Sequence, residues 1–346
     1  MDLKEITLRL SQAVGISGAE GQAAPLAREL LSPFGEVSVT PLGSVVCTVQ
    51  APKEGQPHML WDAHLDEIGM MVTYIDDQGF LKVANTGGIN RQLLMASSVT
   101  VHTEKGPVKG VVCSVPPHLQ KGDKRKVPSM EEVYLDIGFD GQQAREHVSV
   151  GDVVTIDSTS RVLSGDLLTG KAMDDRACCA CLIRALELLK GRELPCGLTV
   201  QLSTMEEIGG MGATTAAYQV NPTHAIAVDV SHAKSPGVPE DRCGILGEGP
   251  MIGFAPILSK TVCRELVKTA QEEQIPYQLE GMGRSTGTNA DNIALCRGGI
   301  SMGLVSLPLK YMHTPVEVVS LQDMENTARL LASHLLQAFS TGTTCE

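Results

Sequence analysis

Apolar and polar positions follow one another in three regimes along this chain. In the first, apolar residues recur at helical spacing over 3–14 and 20–32, with Gly15 and Gly18 between them, which predicts two amphipathic helices. Residues 37–39 and 45–50 then read as strands about a turn at Pro41 and Gly43, and the apolar run from Pro57 to Trp61 as a buried strand. From Ile68 to about Gly165 the pattern changes to short β-type runs at 69–75, 80–84, 99–103, 108–115, 133–137 and 153–156. Turns of Gly, Pro and Asp separate them and no long helical pattern intervenes, the signature of a small barrel or sandwich. The polar, basic stretch 122–129 reads as a mobile loop. After Asp174, helix and strand alternate: helices at 176–190, 212–218, 259–274 and 321–339, strands at 198–203, 225–230 and 300–305. That alternation predicts an α/β fold, a mixed central sheet covered by helices on both faces. The simplest arrangement is one α/β domain from 1–67 and 166–346, with a β-rich, barrel-like domain at 68–165 inserted in it.

Composition narrows the partners. A formal charge of −12 argues against a nucleic-acid or anionic-membrane surface, both of which need clustered Lys and Arg. No stretch has the roughly 18 uninterrupted apolar residues of a membrane span, and the charged opening MDLKEITLRLSQAV lacks the apolar centre of a signal peptide. A cytoplasmic protein is expected, and its ten cysteines are expected to be thiols. Cys178, Cys179 and Cys181 have no second cluster to complete a zinc-thiolate pair and read as small core residues of a helix. Aromatic residues make up only 3%, too few for the stacking faces common in sugar sites and single-stranded nucleic-acid sites.

The candidate chemistry begins where the strand from Pro57 ends, in Trp61-Asp62-Ala63-His64-Leu65-Asp66-Glu67. On an extended backbone His64 and Asp66 share a face, a metal-binding imidazole beside a carboxylate that orients it. A solvated polar turn explains the heptad as well. Four later stretches place similar side chains next to strands or helix starts: Lys171 to Arg176 with Asp174 and Asp175, Thr204 to Gly210 with Glu206 and Glu207, Val228 to Ser231 with Asp229, and Tyr311 to Glu317 with His313. Each has its plain alternative: a helix cap for Asp174-Asp175, an exposed pair for Glu206-Glu207, a turn for Asp229, a loop histidine for His313. Their joint order favours chemistry. Two divalent ions about 3.5–4 Å apart need a bridging carboxylate and further imidazole or carboxylate ligands, a set that suits zinc, cobalt or manganese. Of two adjacent glutamates, one can bind metal while the other takes a proton from water.

The set AHLDEIG, KAMDDR, EEIGGMGA, AVDVS and YMHTPVEV, in this order and spacing, resembles the tetrahedral (TET) aminopeptidases, and GTNADNIA at 287–294 is similar to that family's stretch before the last histidine. The likeness covers essentially the whole chain. It implies that His64 and Asp229 bind one metal, that Glu207 and His313 bind the other, and that Asp174 bridges them. Glu206 would be the general base, and Asp66 would orient His64. It further implies zinc or cobalt, with manganese possible, short peptides with a free N-terminus as substrates, a cytoplasmic location, and dimers that assemble through the inserted domain into a homododecamer. Two positions depart from the family pattern. Asn289 stands where Asp is usual, which would alter how the substrate's amino terminus is held, and Lys310 stands where Arg is usual.

The expected reaction is hydrolysis of the first peptide bond. A deacylase or carboxypeptidase could use the same dimetal kit. A glycoside hydrolase could use paired carboxylates, although each carboxylate here is better spent on a metal. A binding or structural protein with a retired site would have no reason to keep both glutamates. Met205, Met211 and 283–287 are expected to line the substrate pocket.

Overall fold

The structure, a computed structural model, describes residues 2–116, 118–119 and 127–339. Most of the basic loop at 122–129 lies outside the described residues. The elements begin with α1 (Leu3–Gln12), α2 (Ala23–Leu31), β1 (Glu36–Val39), β2 (Val45–Gln50) and β3 (His58–His64). There follow β4 (Gly69–Ile75), β5 (Leu81–Thr86), β6 (Ser98–Thr103), β7 (Gly106–Val112), β8 (Tyr134–Asp136), α3 (Gly141–His147) and β9 (Val153–Ile156). The remainder is β10 (Arg161–Val162), β11 (Leu167–Gly170), α4 (Met173–Leu189), β12 (Gly197–Ser203), α5 (Met211–Val220), β13 (His224–His232), β14 (Met251–Phe254), α6 (Lys260–Glu272), β15 (Gln278–Gly281), α7 (Asn289–Ile293), β16 (Ser301–Leu309), β17 (Glu317–Ser320) and α8 (Leu321–Ala338).

Eight strands form one mixed sheet in the order β1-β2-β12-β3-β13-β16-β14-β15, with β12, β3, β13 and β16 parallel at its centre. The central strands are apolar on both faces because helices cover both. Met59, Trp61 and Ala63 of β3 point into the larger core, packed with α1, α2, α4 and α8, while Leu60 points into a second core with α5 and α7. Helix α4 carries buried residues on every side, among them Cys178, Cys179 and Cys181, which are core thiols as their composition suggested.

Strands β4, β5, β8, β7, β6 and β9 close into an antiparallel barrel with its own core around Val72, Leu81, Val99, Leu135 and Val154. Two features of this region had no apolar period to reveal them. Helix α3 is only seven residues long and starts from a capping box, with Asp140 accepting from the Gln143 amide. The two- to four-residue strands β10, β11 and β17 form a separate small sheet.

A buried ionic knot fastens the segment after α1 to the start of α4. Arg176, fully buried, donates to the carbonyls of Leu65 (2.9 Å), Leu10 (2.7 Å) and Ala13. Glu67 accepts from Lys171 Nζ at 2.6 and 2.7 Å and lies 3.5 Å from Arg176. A Cβ at Gly15 would stand 2.7 Å from the guanidinium, so this close approach requires glycine. Arg176→Met removes the guanidinium from the Leu65, Leu10 and Ala13 carbonyls and from Glu67, and is expected to cost about 3–5 kcal/mol. Urea unfolding measures it, and an unchanged midpoint would show the knot to be energetically idle.

Candidate active site

The site collects at one end of the parallel strands because their registers bring the ends to one level. Ser203 at the end of β12 lies opposite His64 at the end of β3, so the turn that follows, with Glu206 and Glu207, starts beside the imidazole. Asp229 lies within β13 rather than at its end. His313 sits in the turn between β16 and β17, and Asp174 in the first turn of α4, after β11. Three of these turns pass through left-handed backbone at non-glycine residues, Ala172 (φ 53°), Met205 (φ 59°) and His313 (φ 61°), the kind of strain that persists where surrounding structure enforces it.

All six predicted residues around the expected ions converge. His64 Nε2 is 3.0 Å from Asp174 Oδ1, 3.9 Å from Asp229 Oδ1 and 4.0 Å from Glu206 Oε2. His313 Nε2 is 3.3 Å from Asp174 Oδ2 and 3.3 Å from Glu207 Oε1. The two oxygens of Asp174 therefore face different imidazoles. Together these groups open into a cavity of about 1050 Å³. Residues 283–287 line it as expected, whereas Met205 and Met211 do not.

The surrounding carboxylates accept from backbone N–H groups of the segments that carry the site. Asp66 accepts from the peptide N–H groups of Glu206 (3.0 Å) and Glu207 (3.2 Å) and from the Ser17 hydroxyl. His64 Nδ1 lies 3.1 Å from the Asp66 backbone carbonyl and 3.5 Å from its carboxylate. Glu317 plays the same part on the other side, accepting from the N–H groups of His313 (2.8 Å) and Asp174 (3.1 Å). Its role was not foreseen, although a glutamate inside the apolar run Val316 to Val319 was a visible signal. Asp175 accepts from the His64 amide at 3.0 Å and has its other oxygen unpartnered. It also falls within ligand distance of His64 and Asp229, but it is fully buried and does not line the cavity. Behind it, Cys179 donates its thiol to the His64 carbonyl at 3.1 Å.

The barrel touches the site directly. A Cβ at Gly88, in the loop after β5, would lie 2.6 Å from His313 Nδ1. The other departure from expectation is Asn289. It is buried, donates to Asp62 Oδ2 (3.0 Å) and Ser203 Oγ (2.9 Å), and does not line the cavity. Its amide gives a hydrogen bond to a buried carboxylate of β3. Lys310 pairs through its backbone with Val318.

The electrostatics leave room for cations. Burial pushes Glu206 up to about 7, with Glu207 and Asp174 repelling its charge against the pull of His64. Burial also raises Glu207, and it raises Asp229 strongly, helped by Asp175. Hydrogen bonds to Asp174 and Glu207 lift His313 to about 11. Burial opposes charge on His64, but its bonds to Asp174 and Asp66 outweigh that and raise it well above the usual histidine range. Four carboxylates thus share two imidazoles, and among the described residues no Lys or Arg pairs with Asp174, Glu206, Glu207 or Asp229. An unbalanced cluster of N and O donors of this kind fits divalent metal ions.

Nearly the whole chain aligns with known proteins. It is 31% identical to the lysyl aminopeptidase of Pyrococcus furiosus, over 94% of each chain. The TET aminopeptidase of a marine sediment Thaumarchaeota archaeon superposes with a TM-score of 0.91 at 31% identity, covering 97% of both chains. The Pyrococcus horikoshii TET1 peptidase, described as assembling into a tetrahedron or a large octahedral shell, gives 0.86 at 29% identity, over 97% of this chain and 100% of that one. The chain is thus a peptide hydrolase. Residues 43–330 match the family model described as M42 glutamyl aminopeptidase, and the chain belongs to that family.

Proposed function

We propose that the chain is a dimetal aminopeptidase that removes the N-terminal residue of short peptides. One observation carries the reading: the two oxygens of Asp174 face different imidazoles, each of which has a further carboxylate beside it. His64 and Asp229 would hold one ion, His313 and Glu207 the other, and Asp174 would lie between them. Zinc, cobalt or manganese bound there would supply Lewis acidity, lowering the pKa of water and polarising a carbonyl. Glu206, beside these ligands and facing the cavity, is left free to take a proton from the attacking water and hand it to the leaving amine. The acidic lining draws in the free α-ammonium of a peptide. Asp66 and Glu317 act as positioning residues, fixing the segments that carry the ligands and the base.

In the same reading 1–67 and 166–346 form the catalytic domain, and the barrel region 68–165 joins subunits as dimers that build a dodecamer in the cytoplasm.

The test is release of p-nitroaniline from aminoacyl anilides. Chelation is expected to abolish it, and zinc, cobalt or manganese to restore it. N-acetylated anilides are expected to be inert. Cleavage of the acetylated substrates instead would point to a deacylase, and activity that survives complete ion removal would defeat the dimetal mechanism.

A further inference from the structure

The cavity that holds the ligand cluster extends along β15, where Glu280 lies half-buried in its wall. Both oxygens of this carboxylate are fixed by hydroxyls: Ser231 Oγ donates to Oε1 at 2.5 Å and Ser306 Oγ donates to Oε2 at 2.8 Å. The two serines tie Glu280 to the reaction centre. Ser306 is almost fully buried and lies opposite Asp229 in the β13–β16 register, and Ser231 is two residues beyond Asp229 on β13. Two residues along a strand advance about 6.6 Å on the same face. Glu280 is therefore tied both to the strand that carries Asp229 and to the residue paired with Asp229 on β16.

We propose that Glu280 selects a basic side chain, Lys or Arg, on the N-terminal residue of the substrate, a reading that rests on the aminopeptidase function proposed above. An ionised carboxylate has about four lone-pair sites, and two hydroxyl donors leave the rest for an ammonium or guanidinium. Among the described residues no Lys or Arg forms an ion pair with Glu280. Met251 and Met282 also line the cavity and offer apolar surface to the stem of a Lys or Arg. The opposite preference, for an acidic residue, would need Arg242, Arg284 or His232. All three line the cavity, but all three are exposed, whereas Glu280 is set into the wall with its two oxygens anchored.

The experiment compares kcat/KM of the ion-loaded enzyme for the p-nitroanilides of Lys, Arg, Leu and Glu. Lys and Arg are expected to exceed Leu and Glu by about tenfold or more. Glu280→Gln is expected to lower the Lys-to-Leu ratio by about tenfold, a ratio in which any general loss of activity cancels. A wild-type measurement guards against a variant that does not fold: lysinamide is expected to inhibit hydrolysis of the Leu anilide better than norleucinamide does. A wild-type preference for Leu or Glu, an unchanged ratio in Glu280→Gln, or equal inhibition by the two amides overturns the assignment while leaving the aminopeptidase intact. No release from any anilide defeats the aminopeptidase reading and this one with it.

Discussion

Glu206→Gln is expected to lower kcat on an aminoacyl anilide by about 10²–10⁴-fold, the range that a positioned general base supplies. The substitution keeps the shape of the side chain and removes its ability to carry a proton. Glu206 is the carboxylate of the cluster that the proposed ligand scheme leaves over, 4.0 Å from His64 Nε2 and in the cavity wall. Its backbone N–H is held by Asp66, so the amide variant should keep the same pose. Ion content measured on the purified variant should match wild type. Equal activity of the two proteins would remove Glu206 from the mechanism. Lost activity accompanied by lost ions would make it a ligand instead.

Asp174→Ala is expected to be still more damaging, because it acts on both halves of the site at once. No other carboxylate of the cluster contacts both imidazoles, at 3.0 Å for His64 and 3.3 Å for His313. Without it His64 Nε2 keeps Asp229 at 3.9 Å and Glu206 at 4.0 Å, His313 keeps Glu207 at 3.3 Å, and among the described residues no carboxylate lies within 4.0 Å of both rings. Loss of the Lewis acid removes several kcal/mol of transition-state stabilisation, so activity should fall by about three orders of magnitude or more. Ion analysis should show fewer than two ions per chain. Full occupancy with near-normal turnover would show that Asp174 does not bridge.

What could be read from the chain was set by side-chain type. Histidines and carboxylates beside apolar runs announce themselves, and the order of His64, Asp174, Glu206-Glu207, Asp229 and His313 was enough to place them in one cluster. The long apolar periods likewise marked the central strands and α4. What stayed hidden acts through the backbone or at a distance. Glu317 works by accepting two peptide N–H groups, a service that any sequence at 174 and 313 would receive. Asn289 stands in a motif, but its hydrogen bond to Asp62 depends on packing that spacing does not record. Strands β10, β11 and β17 are too short for alternation to register, and α3 depends on its cap more than on an apolar face.

Gly88 belongs to a module with a separate core, yet the missing methyl at that position is what gives the His313 ring its berth. The barrel is therefore not an interchangeable handle. A chimera that borrowed this module from another protein would inherit a working centre only if the borrowed loop arrived equally bare at that point, so the two halves of the chain are bound to change together.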